Sequence, residues 1–200
     1  MVRLRLSGRH EDADLLHVTL DDQVKKLTQL IPEYIFSMQD QPIERTVFDL
    51  LINNEMTFAS AESCTGGNIA HVITLIPGSS DVFKGTAVTY ATPMKTKVLG
   101  VPAELIEKHG VVSQQVVESM AEGVRNLMEA DFGVATTGVA GPSGGTEENP
   151  IGTVWIGLAS PSGVVSKRFN FGKDRENVIN RATIAAYEML RECILTYIAP

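Results

Sequence analysis

The chain has 200 residues, of which 44% are hydrophobic and 20% are charged, a composition typical of a soluble globular protein that buries a core. Its net charge of −7 argues against nonspecific nucleic-acid binding, and no apolar run is long enough to cross a membrane. Its two cysteines are far apart, which favours a cytoplasmic protein over a disulfide-bonded one, and no histidine or cysteine pair has the spacing of a metal site.

The first forty residues predict a strand, a helix and a second strand. Arg3 to Leu6 alternates charged and apolar residues, as a half-buried strand does. Apolar residues follow helical spacing from Asp12 to Ile31, Pro32 ends that helix, and Tyr34 to Phe36 has the character of a short strand. These elements enclose too little core to fold alone. We therefore predict a partial α+β segment that packs on its own chain or pairs with another copy in a homo-oligomer.

A polar stretch with a proline, Gln39 to Pro42, predicts a domain boundary, with residues 1–41 before it and residues 42–200 after it. Beyond it, helices and strands alternate. Helices are predicted at Ile43–Asn54, Asn68–Leu75, Thr92–Leu99, Pro102–His109, Ser113–Ala130 and Asp174–Ile198, and strands at Thr57–Ala61, Val82–Tyr90, Phe132–Thr137, Val154–Ala159 and Val164–Phe171. The last two strands form a hairpin, and Lys84-Gly85 interrupts an earlier strand as either a bulge or an irregular entry. This order predicts a three-layer α/β/α sandwich with a mixed sheet.

The turn after the first strand of this domain carries three side chains that can act as nucleophile or donor. They are Ser63, Cys64 and Thr65, followed by Gly66 and Gly67 at the start of a helix. Such a turn presents unpaired backbone N–H groups and attracts anions. It is also compatible with a plain tight turn, so the turn alone does not assign a function.

The strand Phe132–Thr137 also runs into a glycine-rich loop. Thr136 and Thr137 supply hydroxyls, and further backbone N–H groups come from Gly138, Gly141, Gly144 and Gly145. If the two strands are neighbours, both loops line one pocket at the carboxyl edge of the sheet. The alternative is a long connecting turn.

Lys95 follows the strand that ends near Tyr90 and lies on a short predicted helix. In a poorly solvated pocket, a lysine loses part of its pKa and can act as a general base for a serine nucleophile. On an exposed helix face it would instead be a solvated charge.

Several motifs in order resemble the CinA C-terminal domain family, that is, the nicotinamide mononucleotide deamidase or PncC family. They are Ala61–Gly67, Pro77–Ser80, Val88–Tyr90 with Lys95, His109–Ser113, Thr137–Gly145 and Pro150–Trp155. The similarity runs from about Ile43 to the C-terminus, and residues 1–41 resemble the end of the small KH-like domain of full-length CinA proteins. We expect a short family member or a fragment without the molybdopterin-binding-like domain, and no pyrophosphatase activity is implied.

The resemblance implies hydrolysis of nicotinamide mononucleotide to nicotinate mononucleotide and ammonia in pyridine nucleotide salvage, without a cofactor. It implies that Ser63 is the nucleophile, Lys95 the general base and Tyr90 a supporting hydroxyl, and that Thr137 holds the oxyanion with nearby backbone N–H groups. Arg175 matches an arginine of the family that either contacts the substrate phosphate or caps its own loop, although Lys173 interrupts the usual Gly-Asp-Arg sequence. The other residues predicted to contact the substrate are Glu62, Cys64, Thr65, Gly66, Gly67, Gly138, Gly141, Gly144 and Gly145.

Two residues keep alternative roles. Glu62 either orients Lys95 or Tyr90, or braces the turn through backbone N–H groups. Cys64 is either a rival nucleophile, with its pKa lowered at a helix N-terminus, or a small packed thiol. Two rival functions follow: a Cys64-dependent amidase, and a nucleotide-binding regulatory module that carries out no chemistry.

Overall fold

The computed structural model describes residues 3–199, without the side chain of Glu33, and divides them into two compact units between Ile43 and Glu44. The first unit is built on helix α1 (Ala13–Leu30), which begins at Asp12 because the Asp12 carboxylate accepts hydrogen bonds from the backbone N–H groups of Asp14 and Leu15. A 3-10 helix, Pro32–Tyr34, follows. No residue of α1 is buried.

Both strands predicted in this unit are wrong. Arg3 to Leu6 is irregular, and Tyr34 lies in the 3-10 helix rather than at the start of a strand. The physical reason is that an isolated extended segment is marginal without a neighbouring strand, and residues 3–43 contain none. Pro32 also favours the tight turn, in which Ile35 N donates to Pro32 O. The described part of this unit is therefore helical rather than α+β.

The second unit has the predicted alternation of helices and strands. Its helices are α2 (Ile43–Asn53), α3 (Asn68–Thr74), α4 (Thr92–Leu99), α5 (Ala103–His109), α6 (Gln114–Leu127) and α7 (Arg175–Ile198), and its strands are β1 (Phe58–Glu62), β2 (Phe83–Val88), β3 (Phe132–Gly138), β4 (Thr153–Ser160) and β5 (Gly163–Asn170). A short 3-10 helix, Ser79–Asp81, precedes β2. Ser113 directly precedes α6 rather than beginning it, and its hydroxyl donates to Gly110 O instead of capping the helix.

The strands form one mixed sheet in the order β2-β1-β3-β4-β5. β1 lies parallel to both β2 and β3, whereas β4 pairs antiparallel with β3 and with β5. Of the two interpretations of Lys84-Gly85, the structure has the bulge: Phe58 pairs with Phe83 and Ala59 with Gly85, so Lys84 is an extra residue in β2. The carboxyl ends of the three parallel strands therefore meet at one edge, where open α/β sheets bind ligands.

Helices cover both faces of the sheet, which confirms the predicted α/β sandwich. α6 packs on one face, with α4 and α5 against it, and α3 and α7 pack on the other. β1 is buried on both sides because Ala59 and Ala61 join the core under α6, while Phe58 packs against Phe83 and Tyr187. Within residues 3–199, no helix has the length and apolarity needed to span a membrane.

Candidate active site

A buried carboxylate fixes the turn that follows β1. Glu62 is fully buried. It accepts hydrogen bonds from the Thr65 hydroxyl at 2.7 Å and from the backbone N–H groups of Gly67, Ile69 and Ala70 at 2.9, 3.1 and 3.0 Å. These donors are the otherwise unpaired groups at the start of α3, and a carboxylate is the favoured partner there. The contacts of Glu62 are thus those of a brace for the turn.

Two glycines let the chain complete this turn. Gly66 and Gly67 have φ values of 63° and 100°, a left-handed conformation that other residues adopt at a cost. Gly67 is the residue that precedes α3. The braced turn leaves Ser63, just after β1, half-buried at the carboxyl edge of the sheet.

Lys95 reaches this serine from α4. Its Nζ lies 3.1 Å from Ser63 Oγ and donates to the backbone oxygen of Thr89 at 2.7 Å. Only 1% of Lys95 is exposed. Burial lowers the pKa of Lys95 below its ordinary value, since it penalises the charged form, and only the nearby Cys64 opposes that shift. A buried amine with a lowered pKa, in hydrogen-bond contact with a hydroxyl, is the arrangement of a nucleophile and its general base.

The pairing of the strands places three hydroxyl residues in a row beside this amine. Glu62 pairs with Val88 of β2 and with Thr136 of β3. The backbone N–H of Ser63 donates to Thr136 O at 3.1 Å, so the pairing with β3 extends one residue further. Ser63, Thr89 and Thr137 are thus each the residue directly after one of these paired positions, Glu62, Val88 and Thr136.

The two threonines of this row differ in their hydrogen bonds. Thr137 is buried, and its hydroxyl donates to Val111 O at 2.8 Å. Thr89 is equally buried, and its Oγ1 has no hydrogen-bond partner among residues 3–199. The role predicted for Thr137 therefore requires it to exchange Val111 O for the substrate oxygen.

Cys64 lies in a different environment from its neighbour Ser63. Only 6% of it is exposed. Burial is the largest cause that raises the pKa of the Cys64 thiol, to about 12, although the Thr136 hydroxyl and Lys95 act in the opposite direction. The thiolate is the reactive form of cysteine. At neutral pH Cys64 is therefore a protonated, enclosed thiol. The Thr136 hydroxyl also lies 2.8 Å from Thr65 Oγ1.

Arg175 links two loops at the same edge of the sheet. It is the first residue of α7, and its guanidinium donates to Tyr90 Oη at 2.8 Å and to Gly141 O at 2.7 Å. It therefore neither caps its own loop nor stands free; Asp174 caps α7 instead, through Asn177 N. Tyr90 is 58% exposed, and its described hydrogen bond is to Arg175 rather than to Ser63 or Lys95.

The second glycine-rich loop has two parts. A side chain at Gly138 would place its Cβ 2.5 Å from Thr153 O, so this glycine is required by the close approach of β3 and β4. Further along, Gly141 and Gly144 both have a φ of 86°. Within the described chain, the backbone N–H groups of Gly141, Gly144 and Gly145 donate no hydrogen bond. Gly144 and Gly145 are also exposed, so their N–H groups remain available to an anion, whereas Gly141 is buried.

The first loop, Lys95 and Thr137 therefore meet at the carboxyl edge, with Tyr90, Arg175 and the second loop beside them. No group of three or more His, Cys, Asp or Glu side chains in residues 3–199 is arranged to hold a metal ion. Sequence reasoning gave Thr89 no role. The signal that identifies it is its position: with the bulge at Lys84, Val88 at the end of β2 pairs with Glu62, and Thr89 directly follows Val88 as Ser63 directly follows Glu62.

A protein-family model described as the CinA C-terminal domain matches residues 40–194. Among curated relatives, a CinA-like protein from Flavobacterium psychrophilum is 46% identical over 195 residues, which are 97% of this chain and 47% of the relative. A CinA-like protein from Fervidobacterium nodosum is 40% identical over 194 residues, with the same coverage of both chains. The chain thus spans about half the length of these relatives.

Solved structures of proteins named for the same family also match the fold of this chain. A competence-damaged protein (CinA) superfamily protein from Klebsiella pneumoniae matches with a TM-score of 0.74 and 31% identity, covering 78% of this chain and 99% of that one. The competence/damage inducible protein CihA from Agrobacterium tumefaciens matches with a TM-score of 0.74 and 35% identity, covering 78% and 98%. These names state a family and no reaction.

Proposed function

Since the chain belongs to the CinA C-terminal domain family, we propose that it is an amidohydrolase that converts nicotinamide mononucleotide to nicotinate mononucleotide and ammonia. The single observation that carries the proposal is the Ser63–Lys95 pair. The two polar atoms lie 3.1 Å apart, and the lysine is 1% exposed with a lowered pKa. Burying a lysine amine costs free energy because the charged form loses its hydration. A purely stabilising role therefore does not explain why this lysine is buried against a serine.

The reaction follows from the positions of these two groups. Lys95 Nζ takes the proton of the Ser63 hydroxyl while Ser63 Oγ forms a bond to the carboxamide carbon and the C=O electron pair moves onto oxygen. When that pair returns, the C–N bond breaks and Lys95 passes its proton to the leaving nitrogen, which departs as ammonia. Water then attacks the ester, its proton passes through Lys95 to Ser63 Oγ, and the carboxylic acid product leaves.

The oxyanion needs donors at the carboxyl edge of the sheet. Thr137 lies beside Ser63 by register, and its hydroxyl hydrogen is held by Val111 O in the resting site. We propose that the substrate oxygen replaces Val111 O as the acceptor. Loss of one such donor in other enzymes lowers kcat about 10²- to 10³-fold.

The nucleotide portion of the substrate is assigned to the Arg175 side of the site. Arg175 uses two of its donors on Tyr90 and Gly141 and remains exposed. A guanidinium has five N–H groups and suits phosphate. The backbone N–H groups of Gly144 and Gly145 lie in the exposed part of the neighbouring loop. Nicotinamide mononucleotide itself is proposed from the family resemblance.

The experiment is incubation of the purified chain with nicotinamide mononucleotide, with detection of both ammonia and nicotinate mononucleotide, in the presence and absence of a chelator. We expect both products in equal amounts and no effect of the chelator, since the proposed base is an amine. A zinc-restorable loss of activity would exclude the Ser–Lys mechanism. Tight binding of the nucleotide without either product would instead favour the regulatory module.

A further inference from the structure

The side-chain hydroxyl of Thr89 makes no hydrogen bond that would stabilise the described fold. Its Oγ1 is fully enclosed and has no hydrogen-bond partner within residues 3–199. A buried hydroxyl without a partner destabilises a fold by roughly 1–3 kcal/mol, so most such groups in proteins are bonded. Valine has nearly the same shape and would avoid this penalty. Stability therefore does not account for a hydroxyl at this position.

The neighbour of this hydroxyl is a donor with one unassigned hydrogen. Lys95 Nζ is held by the backbone oxygen of Thr89 at 2.7 Å and by Ser63 Oγ at 3.1 Å, and these are its described hydrogen bonds. An ammonium has three N–H groups. When Ser63 gives up its proton, Lys95 therefore becomes a buried cation with two acceptors and a third hydrogen to place, in surroundings where an unsatisfied charge is costly.

We propose that Thr89 is a positioning residue for the general base: its hydroxyl oxygen accepts the third N–H of the Lys95 ammonium formed during the reaction. Rotation about the Cα–Cβ bond of Thr89 exchanges its hydroxyl and methyl between staggered positions and turns the oxygen toward Nζ. With the Thr89 backbone oxygen and hydroxyl both occupied, the remaining N–H of Lys95 points at Ser63 and, after acylation, at the leaving nitrogen. This inference rests on the proposed function and adds a residue to it.

The arrangement has opposite consequences for stability and for rate. The resting site carries an unpartnered hydroxyl, whereas the charged intermediate uses it. Thr89→Val therefore removes a group that helps only during turnover. A hydroxyl that merely supports the fold would give the reverse result, with stability lost and the rate retained.

The test compares Thr89→Val, Thr89→Ser and a control, Thr183→Val. Thr183 is also buried, but its hydroxyl is bonded to Asn68 Nδ2 and Ile179 O, on the opposite side of the sheet from Lys95. We expect Thr89→Val to lower kcat about 10- to 100-fold, the usual value of a hydrogen bond to a charged group, without raising KM and without lowering the melting temperature. Thr89→Ser should keep nearly the wild-type kcat, and Thr183→Val should lose stability but retain kcat.

A second measurement separates this inference from the choice of substrate. The rate at which a fluorophosphonate labels Ser63, followed by mass spectrometry, depends on the serine and its base and not on nicotinamide mononucleotide. We expect slower labelling in Thr89→Val and a rate near that of the wild type in Thr89→Ser. If Thr89→Val labels and turns over like the wild type, or loses stability in proportion to activity, the role of Thr89 is overturned while the proposed function stands. A wild type that is inert in both assays overturns the proposed function and this role with it.

Discussion

Ser63 and Cys64 are neighbours in sequence with different surroundings. The serine oxygen is half-buried and meets the amine of Lys95, whereas the thiol is enclosed and its pKa is raised to about 12. Both residues lie beyond the end of β1, Ser63 at a bend and Cys64 in the turn that follows, and this turn encloses the thiol while it leaves the serine half-buried. Of the two candidate nucleophiles, the one placed against a base is the weaker one in free solution.

Substitution of these two residues should separate their roles. We expect Ser63→Ala to lower kcat by about 10⁴-fold or more, as removal of a nucleophile does in other hydrolases. Cys64→Ala should cost about 1–2 kcal/mol of stability and leave kcat within a few-fold. The measurement is ammonia release, with circular dichroism as the check on folding. An active Ser63→Ala beside an inactive Cys64→Ala would transfer the reaction to the thiol.

The lowered pKa of Lys95 predicts the pH dependence of the rate. Lys95 accepts a proton only when it is unprotonated, so kcat/KM should rise with pH through the pKa of this lysine and level off above it. Because that pKa lies below its ordinary value of 10.5, the rise should fall at a lower pH than for a solvated lysine. A rate that falls as the pH rises across this range would contradict the assignment of the base.

The same pKa predicts a pH dependence of stability. Between the lowered pKa of folded Lys95 and 10.5, the unfolded chain holds a proton that the folded chain does not. The free energy of unfolding should therefore rise with pH in this window, and the contribution should be lost as the pH falls through the folded pKa. Urea denaturation at several pH values, compared with Lys95→Met, measures it. An identical pH slope in the two proteins would show that Lys95 keeps an ordinary pKa.

At the scale of elements, the turn between β1 and α3 depends on one carboxylate. Glu62 accepts hydrogen bonds from three backbone N–H groups of this turn and helix, so it fixes both the start of α3 and the position of Ser63. A glutamine has the same shape but offers only one acceptor oxygen. The remaining N–H groups would then be buried without a partner.

Glu62→Gln should consequently lower both stability and activity. We expect a loss of about 1–3 kcal/mol in the free energy of unfolding, measured by urea denaturation, and a lower kcat because the serine is displaced. The matched control is Glu176→Gln in the first turn of α7, an exposed acid whose change should stay within about 0.5 kcal/mol. Equal stabilities for the two variants would mean that the Glu62 contacts contribute nothing to the turn.

Sequence patterns predicted the second unit well because its strands are buried on one or both faces and its helices have clear ends. β1 is an example, with an apolar run and then Gly66-Gly67. The two strands predicted before Pro42 were wrong because a local sequence pattern can suit a strand without showing whether a neighbouring strand is there to pair with it. The meeting of Ser63 with Lys95 followed from motifs, whereas the bond from Arg175 to Tyr90 and the isolation of the Thr89 hydroxyl depend on three-dimensional packing alone.

At the scale of the whole molecule, the two units differ in how completely they bury their apolar side chains. The second unit encloses an extensive core, whereas α1 has no buried residue, and Val18 and Leu30 are 66% and 76% exposed. Large exposed apolar side chains in one short segment mark a surface for association. We propose that this unit joins copies of the chain in a homo-oligomer.

Light scattering after size exclusion tests this assembly. We expect a mass above the 21.7 kDa of one chain, and a shift toward that value in Val18→Lys, which places a charge on the exposed apolar surface of α1. Gln23→Lys, at an exposed polar position of the same helix, should leave the mass unchanged. A wild type that is strictly monomeric, with residues 3–41 rapidly cleaved by protease, would count against the proposal.

The bulge in β2 determines which residue stands next to the nucleophile. If β2 had no bulge, Ala59 would pair with Lys84 instead of Gly85, and every later residue of β2 would move by one place. Val88 would then lie beside Ser63, and Thr89 would turn to the opposite face of the sheet together with its side chain. The chemistry at the carboxyl edge thus depends on the bulge: because Lys84 is left unpaired, Val88 ends β2 opposite Glu62, and Thr89 and the helix that carries Lys95 follow from that point.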